Sequence, residues 1–267
     1  MNRHQLIQEI RTKKTFLCIG LDIDLEKIPP HLLAFEDPIF EFNKQIIEAT
    51  HDVCVAYKPN IAFYEQYGNK GMIALERTLQ HIPKNLFTIA DAKRADIGNT
   101  STAYAKAFFQ NYTFDSITLH PYMGEDSIKP FLAFDDKWAI ILALTSNTGS
   151  KDFQFIKGSD NIPLYEKVIT TSMKWGNIDN TMFVIGATHE EMLIEIRKIC
   201  PNHFLLVPGV GAQGGNLDKV CQYGLNSDIG LLINSTRQII YASKEKDFAQ
   251  KAREQALLIQ KQMAQYL

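Results

Sequence analysis

The sequence lacks most of the features that would tie it to a membrane, a nucleic acid or an oxidising compartment. No run approaches the roughly 18 apolar residues of a membrane helix, and residues 1–14 are polar and amphipathic, without the apolar centre of a signal peptide. A cytoplasmic protein is expected. Excess charge of either sign is also missing, because 28 lysines and arginines face 30 acids for a formal net charge of -2. That balance exerts no global pull on nucleic acid or an anionic bilayer, so any anionic ligand must be held locally. Cysteine is scarce: the four, Cys18, Cys54, Cys200 and Cys221, lie far apart with no CxxC pair, and the first two sit inside apolar runs. Reduced thiols in or near a core fit this better than disulfides or zinc ligands. No His/Cys/carboxylate cluster has metal-ligand spacing, which argues against a metal cofactor. No low-complexity linker divides the chain, so residues 1–267 are expected to form one domain.

What is present is a repeated alternation. Short runs rich in Val, Ile, Leu and Phe occupy 16–22, 53–59, 86–91, 116–120, 139–145, 182–187, 204–210 and 229–235, each closed by polar, Gly or Pro residues. Segments with apolar residues at three- and four-residue spacing lie between or after them, at 40–50, 72–80, 101–111, 190–199 and 247–266. Near-continuous apolar strands suit a parallel sheet covered on both faces, and eight strand–helix units in 267 residues predict a (β/α)8 TIM barrel. The longest irregular segments, 24–38 and 146–163, follow strands 1 and 5 and therefore fall at the C-terminal mouth, as candidate substrate covers.

Charged residues collect at the same mouth. Strand 1 ends in Gly20-Leu21-Asp22, strand 2 in Tyr57-Lys58-Pro59-Asn60, strand 3 in Asp91-Ala92-Lys93 and strand 5 in Thr145-Ser146-Asn147. Asp91 and Lys93, two apart on an extended segment, are expected to point the same way. Taken singly, Asp22, Lys58, Asp91 and Lys93 suit an ion-pair network between strands equally well. Four alternating charges on three consecutive strand ends favour a functional site, since burying each ion costs several kcal/mol without a partner or ligand. Asp96, three residues beyond Lys93, has a helix N-cap as its plainer reading.

Strand 7 runs into Pro208-Gly209-Val210-Gly211-Ala212-Gln213-Gly214-Gly215, which formally contains GxGxxG. A dinucleotide-binding fold would carry this after its first strand, whereas loops after strands 7 and 8 of a barrel form the usual phosphate site. Strand 8 supplies Asn234-Ser235-Thr236-Arg237, where Arg237 can grip phosphate oxygens bidentately and Gln213 can add an amide donor. The competing readings are a flexible turn and a surface helix-start cation.

Asp91-Ala92-Lys93-Arg94-Ala95-Asp96-Ile97-Gly98-Asn99-Thr100 resembles the DxKxxDIxxT signature of the orotidine 5'-phosphate decarboxylase family. Gly20-Leu21-Asp22, Lys58-Pro59-Asn60, the 145–149 loop, the 208–215 run and Arg237 fall in that family's order, so the resemblance spans essentially the whole chain and is similar to the longer bacterial subgroup. Two departures stand out: Thr145-Ser146 replaces a common Met-Ser, and Thr148 stands where Pro is frequent.

The resemblance implies a cofactor-free homodimer, binding neither nucleic acid nor membrane, that converts orotidine 5'-phosphate to UMP and CO2. Lys93 would protonate pyrimidine C6, Asp91 would lie beside the substrate carboxylate, Lys58 would bridge Asp91 and the ribose, and Asp22 would bind ribose hydroxyls. Asp96, Ile97 and Thr100 would reach into the partner's site. Ser146 would read the pyrimidine amide edge, with Gln213 and Arg237 on the phosphate. Two alternatives stay open: a Mg-dependent sugar-phosphate decarboxylase or aldolase built on a similar DxKxxD strand, and a noncatalytic phosphate- or nucleotide-binding barrel.

Overall fold

The computed structural model describes residues 1–210 and 214–267. Eight parallel strands, β1 (Leu17–Leu21), β2 (Ala56–Pro59), β3 (Phe87–Arg94), β4 (Ser116–Leu119), β5 (Trp138–Leu144), β6 (Thr181–Ile185), β7 (Phe204–Pro208) and β8 (Leu231–Ser235), pair in chain order. The barrel closes where β8 returns to β1, with Leu17 opposite Ile233 and Cys18 opposite Asn234. Every expected strand is present. β1, β2, β4, β6 and β8 are buried along their whole length, because barrel interior and helical shell remove both faces from water. All four cysteines are free and buried. No described helix is long and apolar enough to cross a membrane.

The expected helices form with shifted ends. The 40–50 pattern begins two residues earlier as Pro38–Thr50, where Asp37 accepts the Phe40 N–H and Pro38 opens the first turn. The 101–111 pattern is the helix Gly98–Lys106 followed by a π-helical turn, Ala107–Asn111. Glu125–Leu132, Leu164–Ser172 and Leu217–Gly224 carried too little pattern to be read as helices. They are only 8 or 9 residues long, and the first contains Pro130. Their helicity comes from docking on the barrel, since isolated helices this short are marginal in water.

The strand N-terminal end of the barrel is tied together by a half-buried arginine. Arg197 donates to four backbone carbonyls, those of Gly224 (2.6 Å), Cys200 (3.2 Å), His203 (2.7 Å) and Gly230 (2.8 Å), tying together the loops that feed β7 and β8. Burial lowers its pKa to about 10. His203, just ahead of β7, is 4% exposed and packs on the Phe183 ring, and among the described residues neither of its ring nitrogens has a hydrogen-bond partner. Burial, together with the charges of Arg3 and Arg197, lowers its pKa to about 4.

A histidine kept neutral in the fold makes stability depend on pH. Below its unfolded pKa of about 6.5 the unfolded chain takes up a proton that the folded chain refuses until about pH 4, so stability falls as pH drops through that window. Melting temperatures of wild type and His203→Leu, followed from pH 7.5 to pH 4, should therefore converge or cross on acidification, with wild type losing more. Parallel curves would show that His203 is protonated equally in both states.

Candidate active site

At the opposite end, the strand C-termini deliver the charges anticipated from the sequence. β1 and β2 pair with Gly20 opposite Lys58, and Lys58 is buried to 4% exposure. Its Nζ lies 2.7 Å from Asp91 Oδ2, and Lys93 Nζ lies 2.6 Å from Asp91 Oδ1. Thr118 at the end of β4 donates to Asp91 Oδ1 at 3.1 Å and accepts the Lys93 N–H at 3.0 Å. Asp91 thus receives two ammonium groups and a hydroxyl, and its carboxyl has no freedom left.

The reason for the Asp91–Lys93 convergence differs from simple strand alternation. The β3–β4 register shifts between Ala90 and Arg94, and Lys93 has φ +47°, in the left-handed region. For a residue with a Cβ this conformation costs on the order of 1–3 kcal/mol and persists only where its surroundings impose it. Here the Asp91 ion pair and the Thr118 hydroxyl impose it. Arg94 fixes the next position: it pairs with Glu65, donates to the Ala92 carbonyl at 3.1 Å, and lies over the Tyr104 and Phe108 rings.

The two carboxylates at the mouth are driven in opposite directions. Burial raises the pKa of Asp22, and the nearby Lys58 charge only partly offsets it. Burial acts on Asp91 too, but the charges and hydrogen bonds of Lys58 and Lys93 overcome it and hold that carboxyl well below the usual range. Burial would discharge Lys58, yet Asp91 and Asp22 keep it protonated, with its pKa raised. Divergent carboxyl groups around fixed ammoniums mark a site set up for charge chemistry.

A cavity of about 390 Å³ opens on this cluster, its walls including Asp22, Lys58, Asp91, Pro208, Ser235 and Arg237. Among the described residues Asp22 Oδ1 and Ser235 Oγ are buried without a hydrogen-bond partner, which suits a polar ligand. Arg237 opens the short helix Arg237–Ile240 and is exposed, which suits an incoming anion. Gly20 permits this arrangement, since a Cβ there would lie 1.9 Å from Thr236 Oγ1 and push the β1 and β8 exits apart. In the glycine run, Gly209 and Gly214 have φ +100° and +88°. Gln213 lies outside the described residues.

The remaining expected residues stand apart from this cluster. Ser146 follows β5 beside Gly186, where an added Cβ would fall 2.7 Å from the Ser146 nitrogen. Gln154 braces its loop by accepting the Thr145 N–H and donating to the Thr145 hydroxyl, both at 2.8 Å. Asp96 is not the N-cap of the following helix; Ile97 occupies that position, and Asp96 Oδ1 accepts the Ile97 N–H at 2.8 Å. Among the described residues, no hydrogen bond or ion pair joins Asp96, Ile97 or Thr100 to Lys58, Asp91 or Lys93, and Ile97 is 52% exposed. Thr118, Gln154 and the hydroxyl of Ser235 were not identified from sequence. Neutral hydroxyls and amides ending apolar runs look like any strand terminus.

A closed eight-stranded barrel whose mouth carries a Lys–Asp–Lys cluster, an unsatisfied cavity and an arginine after β8 belongs to the (β/α)8-barrel enzymes that act on small anionic substrates. Residues 15–252 match the model of the orotidine 5'-phosphate decarboxylase / HUMPS family, and the chain belongs to that family. It is 59% identical to the orotidine 5'-phosphate decarboxylase of Flavobacterium johnsoniae over 100% of this chain and 98% of that protein. For the enzyme of the same name from Parabacteroides distasonis the identity is 57%, over 100% and 96%. The structure of Leishmania donovani OMP decarboxylase superposes with a TM-score of 0.82 at 35% identity, covering 97% of this chain and 99% of that one.

The buried pair makes a direct prediction. Lys58→Met should destabilise the fold by about 3–5 kcal/mol in chemical denaturation, because it leaves the Asp91 charge buried with one ammonium fewer. A loss below about 1 kcal/mol would mean that Lys93 and Thr118 alone carry that charge.

Proposed function

We propose that this chain decarboxylates orotidine 5'-phosphate to UMP and CO2 without a metal or other cofactor, the last step of UMP synthesis. The observation that carries the reading is the fixing of Asp91 between Lys58 and Lys93 at 2.7 and 2.6 Å, on a chain matching the family over residues 15–252.

Loss of CO2 from C6 breaks a carbon–carbon bond and leaves its electron pair in the plane of the ring, where the π-system cannot absorb it. A localised carbanion needs a localised positive charge. Lys93 supplies one: its ammonium lies against the developing charge at C6, then transfers a proton to that carbon, and solvent later restores it. Asp91, held ionised, disfavours the substrate carboxylate beside it, and the repulsion disappears as neutral CO2 departs. Lys58 keeps Asp91 charged and reaches the ribose; Asp22 accepts from the ribose hydroxyls. Ser146 reads the amide edge of the pyrimidine, and Gln213 and Arg237 hold the phosphate, whose binding energy is expressed in the rate at a distant carbon.

Asp96, Ile97 and Thr100 serve the site of a second copy in a homodimer. Their lack of ties to their own chain's cluster and the exposure of Ile97 support that assignment.

The purified protein should consume orotidine 5'-phosphate, and EDTA should leave the rate unchanged. Activity abolished by EDTA and restored by Mg²⁺ would instead favour a sugar-phosphate enzyme of the same family. Lys93→Ala should lower kcat by at least about 10² to 10⁴, the worth of a general acid alone, with UMP still bound. A variant keeping more than about a tenth of wild-type kcat would remove Lys93 from the mechanism.

The shared site can be tested by complementation. Lys93→Ala and Asp96→Asn chains, each inactive, are unfolded, mixed equally and refolded. With random pairing about half the dimers are mixed and carry one intact site each, so roughly a quarter of wild-type activity should return. Verified heterodimers with no recovery would place Asp96 in its own barrel.

A further inference from the structure

The chain leaving β1 is held by three tyrosine hydroxyls from different parts of the barrel. Tyr64 donates to the Leu21 carbonyl at 3.0 Å, and Tyr67 accepts the Leu25 N–H at 3.1 Å. Between them Tyr241 makes two bonds, donating to the Asp22 carbonyl at 2.7 Å and accepting the Asp24 N–H at 2.8 Å. Of the three, only Tyr241 also lines the mouth cavity. It stands at the end of the helix that Arg237 opens, its own N–H bonded to the Arg237 carbonyl at 3.3 Å. Its ring stacks on Phe42 with centroids 6.0 Å apart.

Asp22 needs such an anchor. Among the described residues no hydrogen bond holds its carboxylate, and Oδ1 is buried without a partner, so the side chain goes where its backbone sends it. The Asp22 carbonyl and the Asp24 N–H fix that backbone, and one phenol holds both. We propose that Tyr241 is a positioning residue for the reaction, its hydroxyl setting Asp22 toward the ribose. The inference rests on the decarboxylase reading for what Asp22 touches. Burial raises the pKa of the phenol, which keeps it a donor at every working pH.

Tyr241→Phe retains the ring stacking and removes both bonds. Relative to wild type it should lower kcat/KM for orotidine 5'-phosphate and weaken UMP binding by about tenfold each, the scale of two net hydrogen bonds. In an Asp22→Ala background the same change should cost less than about twofold, because the residue it positions is gone. A twofold effect or less in the wild-type background would overturn the proposal. So would an undiminished loss in the Asp22→Ala background, which is the signature of a structural role.

Should Tyr241→Phe not fold, tetrafluorotyrosine at the same position keeps the hydroxyl but acidifies it. Relative to wild type, its kcat/KM should then fall as pH rises and the phenol loses the proton it donates to the Asp22 carbonyl; a ratio to wild type that does not change with pH also overturns the proposal. Wild type that binds UMP but leaves orotidine 5'-phosphate intact would sink the decarboxylase reading alone, with the UMP cycle still deciding Tyr241.

Discussion

A buried carboxylate between two lysines is a constraint before it is a catalytic device. Asp91 sits where burial opposes its charge, and only Lys58 and Lys93, with the Thr118 hydroxyl, make ionisation favourable there. Each partner in turn requires a strand exit at a particular height. Lys58 must lie opposite Gly20 just before the end of β2, Thr118 just before the end of β4, and β3 must break its register so that Lys93 turns back in a left-handed conformation. Removing any one leaves a charge or a strained backbone uncompensated, at a cost of several kcal/mol. The barrel supplies eight such exits around one axis, which is why the arrangement is affordable on this fold.

The two ends of the barrel handle charge differently. At the strand N-terminal end Arg197 donates to four carbonyls and the buried His203 is kept neutral. At the mouth, among the described residues, Asp22 Oδ1 and Ser235 Oγ are unpartnered and Arg237 is open to solvent. Unsatisfied polar groups that line a cavity leave hydrogen bonds for a ligand to make. The mouth is nevertheless rigid where it matters, through Gln154 behind Ser146, Arg94 behind Lys93 and the tyrosines behind Asp22.

The eight strands, the barrel, the charged mouth and the lysine–aspartate alternation were all legible in the sequence. Each is carried by a local pattern: apolar runs of strand length, or charges that an apolar strand end would otherwise reject. The short helices were not legible, because Glu125–Leu132 and Leu217–Gly224 gain their stability from the surface they cover. Nor were Thr118, Ser235, Gln154 and Tyr241. Thr118 and Tyr241 matter by reaching a carboxylate or a backbone group 27 and 219 residues away, Gln154 by bracing Thr145, and Ser235 by its place in the wall of the cavity.

Sequence alone therefore determined which residues bring charge and at which strand ends they emerge, since composition and periodicity are properties of short stretches. Tertiary structure alone decided how those charges meet. Strand alternation would have aligned Asp91 and Lys93 without any strain; the closed barrel instead joins them through a shifted register and a positive φ at Lys93, conditions that exist only once β4 and Thr118 are in place. Likewise nothing near Asp22 in the chain marks it as unsatisfied. Its isolation arises from barrel closure, which buries the carboxylate beside Lys58 while the hydroxyl that holds its backbone arrives from beyond β8.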